Sequence, residues 1–307
     1  NYSNEGGWFD GDKIRFRNGL PERIGGWTRV SNTQVTGTPR KIFDFVTLDS
    51  QNLLFIGTEQ KVFLENAGTF NDITPIRSTV NLGANPVNTT GGAGSGVVTI
   101  TTQASHAAST GDFVTLASLT ATDGITAEQL NIEHKITSVP STTTFTITTA
   151  GSASSGSTAG GGSSGTAAFQ IGIGLNSTVL GAGWGAGTWG RFTWGSAAGS
   201  LSGQTLRLWS VDNFGEDLLF NNMDGSIFYW DATNGTSTRG VLLSSLTGAS
   251  DVPVVARKIL VSDVDRHVIV FGTNPIGSTT LDPLLIRFGS QESLTDFTPS
   301  AENTAGD

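Results

Sequence analysis

Cysteine is absent from all 307 residues, which removes disulfides, thiolate nucleophiles and Cys-type metal sites together and implies no redox compartment. Methionine occurs once, and charged residues make up only 14% of the chain. Histidine occurs three times. His106, His134 and His267 are far apart and without partners at metal-ligand spacing, so neither a zinc site nor a His-based triad is expected. Surface or turn positions are expected for them. No apolar run approaches the roughly 20 residues that cross a bilayer, and no basic-then-apolar leader opens the chain. The sequence therefore predicts no membrane span, no cofactor and no metal.

What is abundant is glycine, at 41 residues, together with Thr, Ser and Asn. These are poor helix formers and good strand or turn formers, so the expected fold class is all-β. Net charge is −9. That balance disfavours a sequence-independent clamp on phosphates, which needs surplus Lys and Arg. The charge is uneven: residues 1–78 carry 9 basic and 9 acidic groups, 79–168 carry 1 and 4, and 169–307 carry 7 and 13.

Two Gly/Ser-rich stretches, Asn88–Gly96 and Gly151–Gly165, read as flexible or turn-rich linkers. All seven Trp fall outside residues 79–168, and about two-thirds of that segment is Gly, Ala, Ser or Thr. An inserted small β-barrel or sandwich at 79–168 is expected, between propeller blades at 1–78 and at 169–307. Val97–Thr101, Phe113–Leu116, Glu133–Thr137 and Thr144–Thr148 read as its strands.

Outside the insert, four stretches look like blades. Gly7–Trp27 reads as a hairpin turning at Asn18-Gly19, with Ile14 and Phe16 on a buried face. Lys41–Pro75 closes on Asp72-Ile73-Thr74-Pro75. A three-strand meander runs from Leu206 to Asp231, turning at Asp224-Gly225. Val254–Pro299 closes on Asp296-Phe297-Thr298-Pro299, an echo of the second stretch. Such periodicity is what a β-propeller leaves, complete or incomplete. Asn1 in place of Met and the trailing Thr304–Asp307 suggest a piece of a longer protein.

The series Glu5–Trp8, Arg15–Gly19, Pro21–Trp27, then Gly183-Trp184-Gly185, Trp189-Gly190, Trp194-Gly195 and Leu208–Leu218, resembles the propeller-bearing hub and nozzle proteins of short-tailed bacteriophages. His106, Gly111-Asp112 and Thr144–Ile147 resemble a small module inserted into phage tail proteins. The resemblance implies a virion structural subunit of the tail, a homo-oligomer (usually a hexamer) around a channel for the leaving genome, and assembly in the bacterial host cytoplasm. It implies neighbouring tail proteins (adaptor, fibres, needle) as partners, and DNA that passes without specific binding. An acidic lumen would let DNA slide.

Trp184, Trp189 and Trp194 are the candidate subunit-contact loop, since Trp supplies large apolar anchors and glycine lets backbones approach. Plugging the propeller's own core is the alternative for these Trp. Acidic clusters at Asp10/Asp12, Asp212/Glu216/Asp217 and Asp263/Asp265 lack the spacing of a calcium loop and read as solvated turn carboxylates. Gly172-Ile173-Gly174 lacks the third glycine of a dinucleotide loop. No carboxylate pair presents itself for glycoside hydrolysis, and the chain reads as a non-enzyme. A carbohydrate-binding receptor module of the tail is the alternative function.

Overall fold

The computed structural model describes residues 11–26, 28, 31–178 and 206–307. The chain divides into two compact units, Asn1–Gln34 and Val35–Asp307. In the first, β1 (Ile14–Arg17) and β2 (Leu20–Arg23) form an antiparallel hairpin. Asn18 and Gly19 turn it at φ 52° and 81°, the left-handed pair that a tight two-residue connection needs. Of the two residues expected on a buried face, Ile14 is half-buried and Phe16 is 53% exposed. Two four-residue strands carry too little apolar surface to make a core by themselves.

The second unit opens with β3 (Pro39–Val46), β4 (Asn52–Thr58), β5 (Val62–Asn66) and β6 (Thr69–Asp72). It continues through β7 (Ile76–Gly83), β8 (Val87–Asn88), β9 (Val97–Thr101), β10 (Phe113–Ala117), the short helix α1 (Ala127–Leu130), β11 (Glu133–Lys135), β12 (Ser138–Ser141), β13 (Thr144–Thr148), β14 (Ala159–Gly160) and β15 (Gly165–Gln170). After the loop come β16 (Trp209–Phe214), β17 (Asp217–Asn222), β18 (Ile227–Trp230), β19 (Val241–Leu242), β20 (Ala256–Val261), β21 (Val268–Thr273) and β22 (Asp282–Phe288).

The fold is all-β and propeller-like. Three sheets are antiparallel meanders in chain order, the blades β3-β4-β5-β6, β16-β17-β18-β19 and β20-β21-β22. Their first strands lie side by side, β16 against β3 and against β20. The second blade is apolar on both faces, because Leu218 to Asn221 are all buried in a row. In cross-strand register Val211, Phe220 and Phe228 face the first blade, where they meet Phe45, Phe55 and Leu64. Leu219 and Tyr229 share the opposite core with Ile259, Val261, Val268 and Val270 of the third blade.

Between β6 and β16 the chain builds a separate lobe of two sheets, β11-β10-β15-β7 and β12-β13-β9-β8-β14. Val98, Ile100, Val114, Phe145, Ile147 and Phe169 pack between them, a sandwich rather than a barrel. The two Gly/Ser-rich stretches are not flexible linkers. They run against each other, the Ser157 amide donating to the Thr89 carbonyl and the Gly94 amide to that of Ala153 at 2.8 Å. A Cβ on Gly156 would come within 2.5 Å of Gly92 Cα, so glycine serves close backbone approach here. Asp123 joins the two, accepting from Thr89 Oγ1, Ser155 Oγ and the Gly156 amide.

Gly57 of β4 lies under the Trp209 indole, where a Cβ would sit 2.5 Å from Trp209 Cδ1. Trp209 cannot retreat easily, because its Nε1 donates to the Thr58 carbonyl at 2.8 Å. Gly57→Ala should therefore destabilise the protein by about 1–3 kcal/mol, as overpacking does. A urea-unfolding midpoint equal to that of the parent would refute the proposed contact between the first two blades.

Candidate functional site

The register places charge at opposite ends of the blades. At one end lie the turns β3–β4, β16–β17 and β20–β21, which follow the pairs Val46↔Asn52, Phe214↔Asp217 and Val261↔Val268. These turns and their flanks hold Asp49, Glu216, Asp217, Asp263 and Asp265 against Arg266. They are neighbours, since the Leu48 amide donates to Glu216 Oε2 at 3.1 Å and the Arg266 guanidinium lies 5.9 Å from the Phe214 ring centroid. A recess of about 630 Å³ opens there, lined by Asp49, Gln51, Asn66, Glu216, Thr233 and Thr236, with Trp230 among its walls.

The opposite end is basic. Arg40, Lys41, Arg207, Arg257 and Lys258 lie near the starts of the first strands, with Glu59, Asp224 and Asp282 as the carboxylates. A groove of about 570 Å³ runs between β3, β16 and β20, lined by Lys41, Phe43, Trp209, Asp212, Lys258 and Leu260 among others. Arg257 Nε pairs with Asp224 at 2.9 Å. Acidity therefore belongs to the turns at one end, while the mouth between the first strands at the other is basic.

A partly buried cluster ties the middle lobe to the blades. Lys61 Nζ donates to Asp72 at 2.8 Å and to Glu133 of β11, and Gln170 also donates to Glu133. Arg239, from the loop after β18, reaches Asp72 Oδ2 at 3.3 Å and the Thr74 carbonyl at 2.7 Å. Burial alone would raise the Asp72 carboxyl, but Arg239, Lys61 and hydrogen bonds from Lys61 and Thr74 outweigh it and hold the group below its ordinary value. The residues come from positions 61, 72, 133 and 239, and no local pattern in the sequence signals them.

Trp184, Trp189 and Trp194, the expected subunit-contact loop, lie outside the described residues. The two flanks of that loop meet: the Arg207 amide donates to the Leu175 carbonyl at 2.9 Å, and Arg40 Nη2 donates to the Asn176 carbonyl at 2.6 Å. Burial beneath them pushes the Arg207 guanidinium down to about 10, against the opposing pull of Asp112. The described flank at Arg207 also lies over the Trp209 ring, its guanidinium 5.4 Å from the ring centroid.

Two of the three histidines depart from the expected surface positions, while His267 lies in the β20–β21 turn. His106 and His134 are buried, not on the surface. His106 stacks on Phe169 and meets Phe145 edge-on, and its Nδ1 accepts from the Ala108 amide at 3.0 Å. His134 Nε2 donates to the Leu130 carbonyl at 3.0 Å, and burial keeps its pKa below the ordinary value. Backbone partners satisfy both rings, which is how a polar side chain enters a core. His267 Nδ1 donates to the Gly289 carbonyl at 2.8 Å.

Two of the carboxylates expected to be solvated in turns, Asp212 and Asp217, lie instead in strands β16 and β17 and hold structure. Asp212 accepts from the Val261 amide, and Asp217 from Tyr229 Oη and the Ala232 amide. Asp10 lies outside the described residues, and Asp12 is exposed beside Lys13. Among the described residues no helix is long and apolar enough to cross a membrane, and no group of three or more His, Asp or Glu could hold a metal ion.

No protein-family model matches the chain, and no curated protein matches it. Among solved structures it is similar to "Phage phi92 endosialidase", at 12% sequence identity and a TM-score of 0.25. That likeness covers 88% of this chain and 38% of the other, so the chain spans well under half its length. A likeness at that score is too loose to assign fold or function.

Asp72 gives the cluster a pH signature. Its folded pKa lies below the unfolded value near 4, so its contribution is full above that value and is lost as pH falls through the folded pKa. Asp72→Asn should cost about 1–3 kcal/mol at pH 7, as loss of a hydrogen-bonded charge does. The deficit should shrink as pH falls below 4, where the unfolded chain takes up the proton first, and vanish below the folded pKa, where the native parent is protonated as well. A deficit that is unchanged at pH 3 would contradict the ion-pair account.

Proposed function

We propose that this chain is a structural subunit of a bacteriophage tail, a nozzle or hub ring through which the genome leaves. The observation that carries this reading is the stack of three meander blades set round their first strands with apolar end faces outward. Such a unit suits an assembly built round an axis, as the resemblance noted in the sequence also implies. The role is geometric, not enzymatic. Ring copies, six in number, surround a channel that the acidic turns of Asp49, Glu216, Asp263 and Asp265 overlook, so that phosphates are repelled and DNA slides. Residues 79–168 form an inserted domain that decorates the outside and offers contacts to adaptor, fibre or needle proteins. Within the flanking segments 1–78 and 169–307, the propeller blades are drawn from 39–72, 209–242 and 256–288. The protein is carried in the virion tail and assembled in the bacterial host cytoplasm.

A second reading has its own observation. The recess beside Trp230 offers amide, hydroxyl and carboxylate groups of the kind that bind sugar hydroxyls, as a carbohydrate-binding receptor module of the tail would need. The ring reading predicts projection images with a central hole, a solution mass near six times 31.9 kDa, and no retardation of duplex DNA at physiological salt. Specific signals on a glycan array from single copies would favour the receptor module. Hydrolysis of a glycan by the purified protein would overturn the non-enzymatic role.

A further inference from the structure

Among the described residues the second blade is covered on both faces and the third on one. On its outer face cross-strand register aligns Lys258, Phe271 and Ile286, and beside them Leu260, Ile269 and Phe288. Leu260 is 43% exposed, Ile286 46% and Leu284, on the same face of β22, 89%. A contiguous exposed apolar sheet face marks an interaction surface. The first blade offers its first strand to such a contact, since Ile56 and Phe63, beside Ile42 on the same face, are already buried. Ile42 and Val46 on the outer face of β3 are 58% and 56% exposed, with the exposed Asp44 between them.

The blade contacts already present indicate how two such faces meet. Where the second blade packs on the third, Ser210 Oγ donates to the Ile259 carbonyl at 3.0 Å, and Asp212 accepts from the Val261 amide at 2.8 Å. First strand therefore lies along first strand with a fixed offset. Continuing that stacking from β20 onto the β3 of another copy sets Lys258 beside Asp44 and Leu260 beside Val46. Apolar side chains then cover one another, and an exposed cation meets an exposed carboxylate.

We propose that copies of this chain join head to tail, the outer face of the third blade of one copy packing on the outer face of the first blade of the next. The occupant of each face is thus a second copy, and the inference rests on the ring reading above. The contact is heterologous, so successive copies turn about an axis rather than stopping at a pair.

Charge exchange tests it. In Lys258→Glu alone the contact sets Glu beside Asp44, and in Asp44→Lys alone it sets Lys beside Lys258. Each single variant should keep the parental circular dichroism but associate at least about tenfold more weakly by sedimentation. An equal mixture of the two offers no like-charged alternative when copies alternate, and so should recover the parental mass, as should the double variant. Single variants that keep the parental mass would sink this interface. Ring images persisting in those variants would leave the ring reading standing with its contact elsewhere, whereas a parent that is single in solution overturns both.

Discussion

The middle sheet, β16 to β19, has apolar side chains packed on both faces, so it is stable only between two other sheets. Val211, Phe220 and Phe228 need the first blade, and Leu219 and Tyr229 need the third. Hydrophobic burial of this kind is non-directional, and by itself would let the sheets slide. Directional bonds stop them. Trp209 donates across to the Thr58 carbonyl, while Ser210 and Asp212 bond the backbone of β20. The first strands are therefore locked by polar contacts while the later strands are held by packing, and that division keeps the blades in one radial order.

The same constraint explains how a whole lobe can sit between the first and second blades. β7 and β15 pair antiparallel, so the chain enters and leaves the lobe along adjacent strands. The blades on either side lose no contact with each other. Lys61, Asp72, Glu133 and Arg239 then fix the lobe against both blades. A partly buried cluster of two cations and two carboxylates is a weak source of net stability but a strong source of orientation, because removing one member leaves the others poorly solvated.

Much of the strand pattern was legible in the residues because it is local. Val97–Thr101 and Thr144–Thr148 are strands with the bounds read from alternation, and the meander turning at Asp224-Gly225 is the second blade, although its first strand begins at Trp209 rather than Leu206. The echo of Asp72-Ile73-Thr74-Pro75 in Asp296-Phe297-Thr298-Pro299 is physical. In both, the Asp carboxylate accepts from the Thr amide two residues on, and Ile73 and Phe297 are fully buried. Each is also capped by an arginine, Arg239 on the Thr74 carbonyl and Arg287 on that of Phe297. Neither arginine could be assigned beforehand, since the first lies 165 residues from its partner. The Gly/Ser stretches misled for a related reason. Small residues serve flexible linkers and tight backbone contact equally well, and only the partner stretch, pinned by Asp123, decides between them.

The separation of charge follows from this architecture. First strands of successive blades all run the same way, so residues near their starts gather at one end of the stack and the turns after them gather at the other. Arg40, Lys41, Arg257 and Lys258 precede the blade cores in sequence, whereas Asp49, Glu216, Asp263 and Asp265 follow the first strands. A bias that is modest in any one blade is thereby multiplied by the number of blades. Each additional sheet or copy stacked in the same sense adds cations to one end and carboxylates to the other, so the polarity of an assembly grows with its size, and net charge alone is a poor guide to the surface that a duplex would meet.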